Sequence, residues 1–191
     1  MNSSYIYIRK LVLDAVFIAA AVVLATILHS IGGKAAGSMW VPMWWGAFLA
    51  GIILGPIDGL IVGFLTPFIS FITRGMPPYP FWLIFAIEIG VYGFMWGVIY
   101  ALFEKVVKNK MLITYVSAVL GLILGKLAAA LLLMFVIPSL APKMAETAGK
   151  VFGMVFFYWT LKSLPGIMLL LVVGPIVAKY VLVAVGGRLK D

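Results

Sequence analysis

Three ionisable side chains sit where the surrounding sequence leaves them no water. Glu88, Lys126 and Lys162 each lie inside a long apolar run. A charge inside a lipid-spanning segment costs several kcal/mol unless it is paired or wet, so each is a functional candidate by default. A helical rise of 1.5 Å per residue puts Glu88 roughly 10 Å from the nearer end of its run, and Lys126 and Lys162 roughly 16 Å. Convergence of one carboxylate and two ammonium groups at similar depth predicts a polar pocket with a net charge of about +1. Such a pocket suits a neutral or anionic polar ligand better than a cation. The competing reading is a buried ion pair that only locks two helices.

Aromatic residues surround these charges. Tyr92 and Trp96 follow Glu88 at four-residue steps and share its helix face. Tyr158 and Trp159 precede Lys162 by four and three residues, and Trp82 and Phe85 lie toward the near end of the Glu88 run. Aromatic walls with a few fixed polar groups are the usual form of a small-molecule site. The predicted substrate-binding residues are therefore Glu88, Lys126, Lys162, Trp159, Tyr158 and Tyr92. Thr66 and Ser70, four apart, either face that site or bond their own helix backbone. His29 reads as an interfacial residue, Asp14 as a partner of Arg9 or Lys10 or of another protein, and Asp58 as a turn or cap residue.

The elements that must hold these groups are membrane helices. The chain has 191 residues, is 65% hydrophobic and only 10% charged, with a mean hydropathy of +1.21. Soluble domains are roughly 45–50% apolar and about 25% charged. A hydrocarbon core of about 30 Å needs roughly 20 apolar residues per helix. Six spans are expected in one all-α domain, at about 11–29, 41–54, 57–72, 81–103, 111–137 and 151–185. The second and third are short and divided by Gly55-Pro56, so they read as tilted, re-entrant or one broken hairpin. The stretch from Met1 to Lys10 lacks the small-residue cleavage site of a signal peptide, so the first helix is expected to be retained.

Charge sets the expected topology. The net charge is +8, but the basic residues flank apolar runs, so no nucleic-acid partner is expected. With the N-terminus inside, the inner side carries Arg9, Lys10, Lys105, Lys108, Lys110, Lys179, Arg188 and Lys190. The outer side carries Lys34, Arg74, Lys143 and Lys150. Eight against four favours cytoplasmic termini. The outer loops are then 30–40, 73–80 and 138–150, and shaped loops belong where a ligand enters.

Other chemistry finds little support. Cysteine is absent and there is a single histidine, which leaves no thiol chemistry and no metal-ligand cluster. Gly121 to Leu127 falls one residue short of a phosphate-binding loop and lacks the Ser or Thr after its lysine. No catalytic motif is present, and the chain is not expected to be an enzyme or to hydrolyse ATP itself. Ala15 and Ala19, like Ala21 and Ala25, Gly93 and Gly97, and Gly121 and Gly125, have the small-xxx-small spacing that lets helices approach closely. Each pair serves either internal packing or a partner.

The order of these features resembles the S components, the substrate-binding membrane subunits, of energy-coupling factor (ECF) transporters. The resemblance runs from Arg9-Lys10-Leu11 and Ala15-x-x-x-Ala19 through Gly55-Pro56-Ile57-Asp58-Gly59 and Thr66-Pro67-Phe68-Ile69-Ser70. It continues through Gly75-Met76-Pro77-Pro78 to Glu88 and Tyr92-Gly93. It implies a six-helix bundle in a prokaryotic cell membrane that binds a water-soluble vitamin or precursor from outside. It further implies docking through Ala15 and Ala19 onto a membrane scaffold subunit coupled to two cytoplasmic ATPases, which use the ATP, with no cofactor in this chain. Glu88, Lys126, Trp159 and Lys162 fall in the family's ligand region. Riboflavin, a pyridoxine or pyrimidine-type precursor, and an anionic vitamin such as pantothenate are all open. A stand-alone carrier with Glu88 as its proton site, and an assembly protein locked by its charges, are the alternatives.

Overall fold

Apolar helix formers dominate the chain, and the computed structural model is a helical bundle. It describes residues 3–140, 142 and 148–189. The helices are α1 (Ser3–Trp40), α2 (Pro42–Ile53), α3 (Pro56–Arg74), α4 (Phe81–Phe103), α5 (Lys110–Leu140), α6 (Ala148–Gly153), α7 (Trp159–Lys162) and α8 (Leu164–Val185), with a π-helical stretch Met154–Tyr158 between α6 and α7. Six stretches are long and apolar enough to span a bilayer: Ser4–Gly33, Ala35–Ile53, Pro56–Arg74, Phe81–Phe103, Lys110–Leu140 and Leu164–Val185. The chain is a multi-pass membrane protein. The start of α1 and the end of α8 share one end of the bundle, here the terminal end. The opposite end is the mouth.

Several expected boundaries move. Residues 30–40 are helical rather than a loop, and the interruption falls at Gly33, whose φ of 64° and ψ of −162° only glycine adopts without strain. The second span therefore begins at Ala35 and is full length, not short. It passes through Val41, which has left-handed φ and ψ of 43° and 49°. A β-branched residue there carries about 1–2 kcal/mol of strain. The third span is also complete, at 19 residues. Its start is set by Gly55 at φ 134° and Pro56 in the first turn, where a missing N–H is harmless. Pro138 lies within α5, which runs on to Leu140. The expected loop over 138–150 thus starts later, and Lys143 lies outside the described residues.

The largest correction is in the sixth span. The apolar run 151–185 is not one helix. Ser163 has non-helical φ and ψ of −94° and 2°, and α8 starts beyond it with Pro165 in its first turn. Proline removes an N–H and its ring crowds the carbonyl four residues back, which disfavours a continuous helix from Leu161 through Pro165. Within that run only Leu164–Val185 is long and apolar enough to span a bilayer. Tyr158, Trp159 and Lys162 lie ahead of it, at the mouth.

Helices α2, α3 and α4 meet backbone to backbone. A methyl group on Gly93 would stand 2.1 Å from the Gly59 carbonyl oxygen, and one on Gly51 or Gly59 would stand 2.4 Å from the Gly93 oxygen. The Gly93–Gly97 face is thus internal packing, and Gly121 and Gly125 likewise press on Trp96 and Tyr92. Dispersion contacts of this kind drive helix association in lipid, where no hydrophobic difference remains. On α1 the two alanine pairs separate. Ala21 and Ala25 are buried against the bundle, whereas Ala15 and Ala19 are exposed.

Charges close the terminal end. Lys10 Nζ lies 3.5 Å from Asp58 Oδ2, so Asp58 is an ion-pair residue as well as a first-turn residue. Arg188 pairs with Glu104 at 3.1 Å and lies 5.1 Å above the Tyr100 ring. Arg9 donates to the Val185 carbonyl, and Leu189 N donates to Ile53 O at 3.1 Å. Asp14 is buried beside this cluster, with its Oδ1 unpartnered.

Gly93→Ala is expected to destabilise the bundle by about 1–3 kcal/mol through overpacking, seen as a lower melting temperature in detergent. Unchanged melting would contradict the close crossing of α3 and α4.

Candidate substrate-binding site

The charge convergence expected from the sequence is present, in a different arrangement. Glu88 on α4 and Lys126 on α5 are 3% and 4% exposed, respectively. Lys126 Nζ donates to Glu88 Oε1 at 2.8 Å. Tyr92, one turn after Glu88, donates its hydroxyl to the same oxygen at 2.6 Å. Both bonds land on Oε1, so the carboxylate's remaining acceptor capacity lies on Oε2. Lys126 Nζ also lies 5.9 Å from the Trp44 ring centroid and 5.7 Å from that of Tyr92, and those two rings meet edge-on at 4.7 Å. Paired, hydrogen-bonded and flanked by π faces, the ammonium is compensated in a low-dielectric setting.

This pair forms part of the wall of a cavity of about 410 Å³. A volume of a few hundred Å³ suits a small-molecule ligand. The end of the first span contributes His29, and the early part of the second contributes Gly37, Ser38 and Val41 to Trp44. The α3–α4 loop contributes Met76, Pro77 and Pro78. Helix α4 adds Phe81, Phe85, Glu88 and Ile89, and the segment ahead of α8 adds Tyr158, Trp159, Lys162 and Ser163. Phe85 and Trp159 meet edge-on at 5.2 Å, joining α4 to that segment. The π-helical stretch just before Trp159 adds a wide turn, a feature frequent at functional sites.

Of the six expected residues, five line the cavity: Glu88, Lys126, Tyr158, Trp159 and Lys162. Tyr92 does not. It is fully buried and orients Glu88 from behind. Lys162 is not deep in a span. The break at Ser163 leaves it exposed at the mouth, and among the described residues it has no ion-pair partner. Trp96 is a core residue whose indole N–H donates to Ala118 O at 3.2 Å. Trp82 stacks on Phe71 at 5.5 Å, outside the cavity. Thr66 bonds the Val62 carbonyl of its own helix at 2.7 Å. Ser70 donates to Met76 O at 2.7 Å and accepts from Arg74, also at 2.7 Å, tying down the loop that walls the cavity.

His29, near the end of the first span, is part of the wall. Its Nδ1 lies 2.7 Å from the Ala25 carbonyl and donates to it, which leaves Nε2 as the acceptor of the neutral ring. The ring rests on Gly37, where an added Cβ would lie 2.0 Å from its Cε1. In one straight helix residues 29 and 37 would stand about 12 Å apart along the axis. The reversal at Gly33 brings them together. A single histidine at a span end carries no sequence signal for this.

A second hollow, of about 500 Å³, lies at the terminal end among Lys10, Asp58, Glu104, Lys105 and Arg188. Its two acidic groups are each paired with a base.

Lys126→Met leaves Glu88 buried and uncompensated and is expected to cost about 3–5 kcal/mol. The double variant Glu88→Gln with Lys126→Met is expected to regain most of that stability without regaining ligand binding. A double variant that binds as the parent does would reduce the pair to a helix lock. Gly37→Ala is expected to fold normally, because only the far end of His29 must move, and to weaken ligand binding measured by calorimetry.

The family model for the ECF transporter substrate-specific component matches residues 9–178. No curated protein and no solved structure matches the chain significantly. The matched region contains every helix from the early part of α1 to most of α8, and with it the whole cavity. The chain belongs to the family of ECF transporter substrate-specific components, subunits of transporters and not a class of enzyme.

Proposed function

We propose that this protein captures a water-soluble vitamin or precursor at the outer face of a prokaryotic cell membrane, for ATP-driven import by partner subunits. The observation that carries this reading is the cavity itself. It opens at one end of a six-span bundle, is walled by aromatic and proline residues, and holds a buried, hydrogen-bonded charge pair in its wall. Membership of the substrate-specific family supports it.

The mouth faces outside in this reading. The break at Ser163 adds Lys162 to the mouth side, so the basic residues outside the bundle core divide seven to four in favour of the terminal end among the described residues. That excess favours a cytoplasmic terminal end with both termini inside. Partners are a membrane scaffold subunit and two cytoplasmic ATPases, which bind and hydrolyse the ATP. This chain uses no cofactor of its own. The exposed Ala15–Ala19 face of α1 is the surface against which the scaffold packs. Its small side chains permit close approach, and unlike Ala21 and Ala25 it is not used within the chain. The stand-alone carrier is disfavoured because Lys126 and Tyr92 already engage Glu88. A proton site needs a carboxylate released from such a partner.

The test has two arms. Protein purified from its host is expected to carry a stoichiometric small molecule identifiable by mass spectrometry, and to bring down scaffold and ATPase subunits. Ala15→Trp with Ala19→Trp is expected to abolish that co-purification and uptake while ligand affinity stays within about twofold. Intact assembly in the tryptophan variant would exclude the α1 face as the docking surface.

A further inference from the structure

The protein contains six acidic residues: Asp14, Asp58, Glu88, Glu104, Glu146 and Asp191. Asp14, Asp58 and Glu104 lie at the terminal end, where Asp58 and Glu104 pair with Lys10 and Arg188. Glu88 is engaged by Lys126 and Tyr92. Glu146 and Asp191 lie outside the described residues. Lys162 lines the same cavity as Glu88, yet among the described residues no carboxylate pairs with it. With the Glu88–Lys126 pair internally neutral, Lys162 leaves a formal surplus of one positive charge among the described residues that line the cavity.

Water can solvate that ammonium while the mouth is open. A ligand filling the cavity displaces water from it, and a buried, unpaired charge is costly. A neutral ligand leaves that cost in place, a cation adds repulsion, and an anion offsets it with a charge-assisted bond. The rest of the wall fixes the other end of the ligand. Trp44, Phe81, Phe85 and Trp159 offer apolar and aromatic surface, while Glu88 Oε2 and His29 offer acceptors.

We propose that the ligand itself supplies the missing charge. The cavity takes a small molecule with an apolar or ring body, at least one hydrogen-bond donor, and one anionic group, carboxylate or phosphate, held at the mouth by Lys162. This rests on reading the cavity as the import site. It narrows the vitamin class to anionic members.

The experiment uses matched pairs that differ at the anionic group: pantothenate and panthenol, 4-pyridoxate and pyridoxine, and riboflavin monophosphate and riboflavin. Binding to the full chain is measured by calorimetry in a nonionic detergent free of phospholipid. In at least one pair the anionic member is expected to bind tenfold or more tightly, the size of one charge-assisted bond, about 1.4 kcal/mol. Lys162→Gln is expected to erase that difference by weakening the anionic member alone, and Lys162→Arg to keep it. The first two pairs test the carboxylate and the third the phosphate. Tight binding of a neutral member with no gain from its anion overturns the proposal and leaves the import reading standing. So does an anion preference that survives Lys162→Gln. An anion preference that disappears on adding phosphatidylglycerol assigns Lys162 to lipid phosphate and overturns it as well. Failure of every compound to bind overturns the vitamin reading together with this one.

Discussion

The contact between Lys126 and Glu88, with the Tyr92 hydroxyl on the same carboxylate oxygen, is the interaction on which the rest of the site depends. In a bilayer neither charge is tolerated alone. Their pairing fixes the rotation of α4 against α5 and brings Trp44 of α2 over the ammonium. One polar contact therefore registers three helices around a cavity. It also settles the electrostatics of that cavity. With the deep charges cancelled, the shallow Lys162 is the unpaired charge among the described residues that line it.

Around this contact the bundle divides into a rigid body and a shaped rim. The body is the glycine crossing of α2, α3 and α4, where backbone approaches backbone and no side chain separates them. The rim is built from irregular pieces: the reversal at Gly33, the left-handed Val41, the Met76–Pro78 loop, and the π-helical stretch before Trp159. Non-helical backbone at membrane depth is tolerated where it is buried in protein or lines a wet cavity. The tie from Ser70 to Met76 O and the Ser163 hydroxyl's contacts with the Trp159 and Ser38 carbonyls hold these pieces to the body. A site made this way can be selective without any catalytic group, as a substrate-specific transport subunit requires.

Composition and hydropathy determined the membrane class and the number of spans, because burial of apolar surface in lipid is a property of the chain summed over windows of about 20 residues. The cost of a charge in lipid likewise marked Glu88, Lys126 and Lys162 without reference to any neighbour. Five of the six expected site residues do line the cavity. What the sequence could not supply was partnership. Either lysine could have met Glu88, since residues 38 or 74 positions apart carry no mutual signal. Only the packing of α4 on α5 chose Lys126. Tyr92 shared a helix face with Glu88 and was legible as its neighbour, but whether it faced ligand or carboxylate depended on α2 and α5. His29 entered the wall only because Gly33 turns the chain back on itself. The Ser163 break, just ahead of Pro165 in the apolar run 151–185, moved Lys162 from the membrane interior to the mouth. Hydropathy averages over that break, whereas the backbone, which must hydrogen-bond residue by residue, does not.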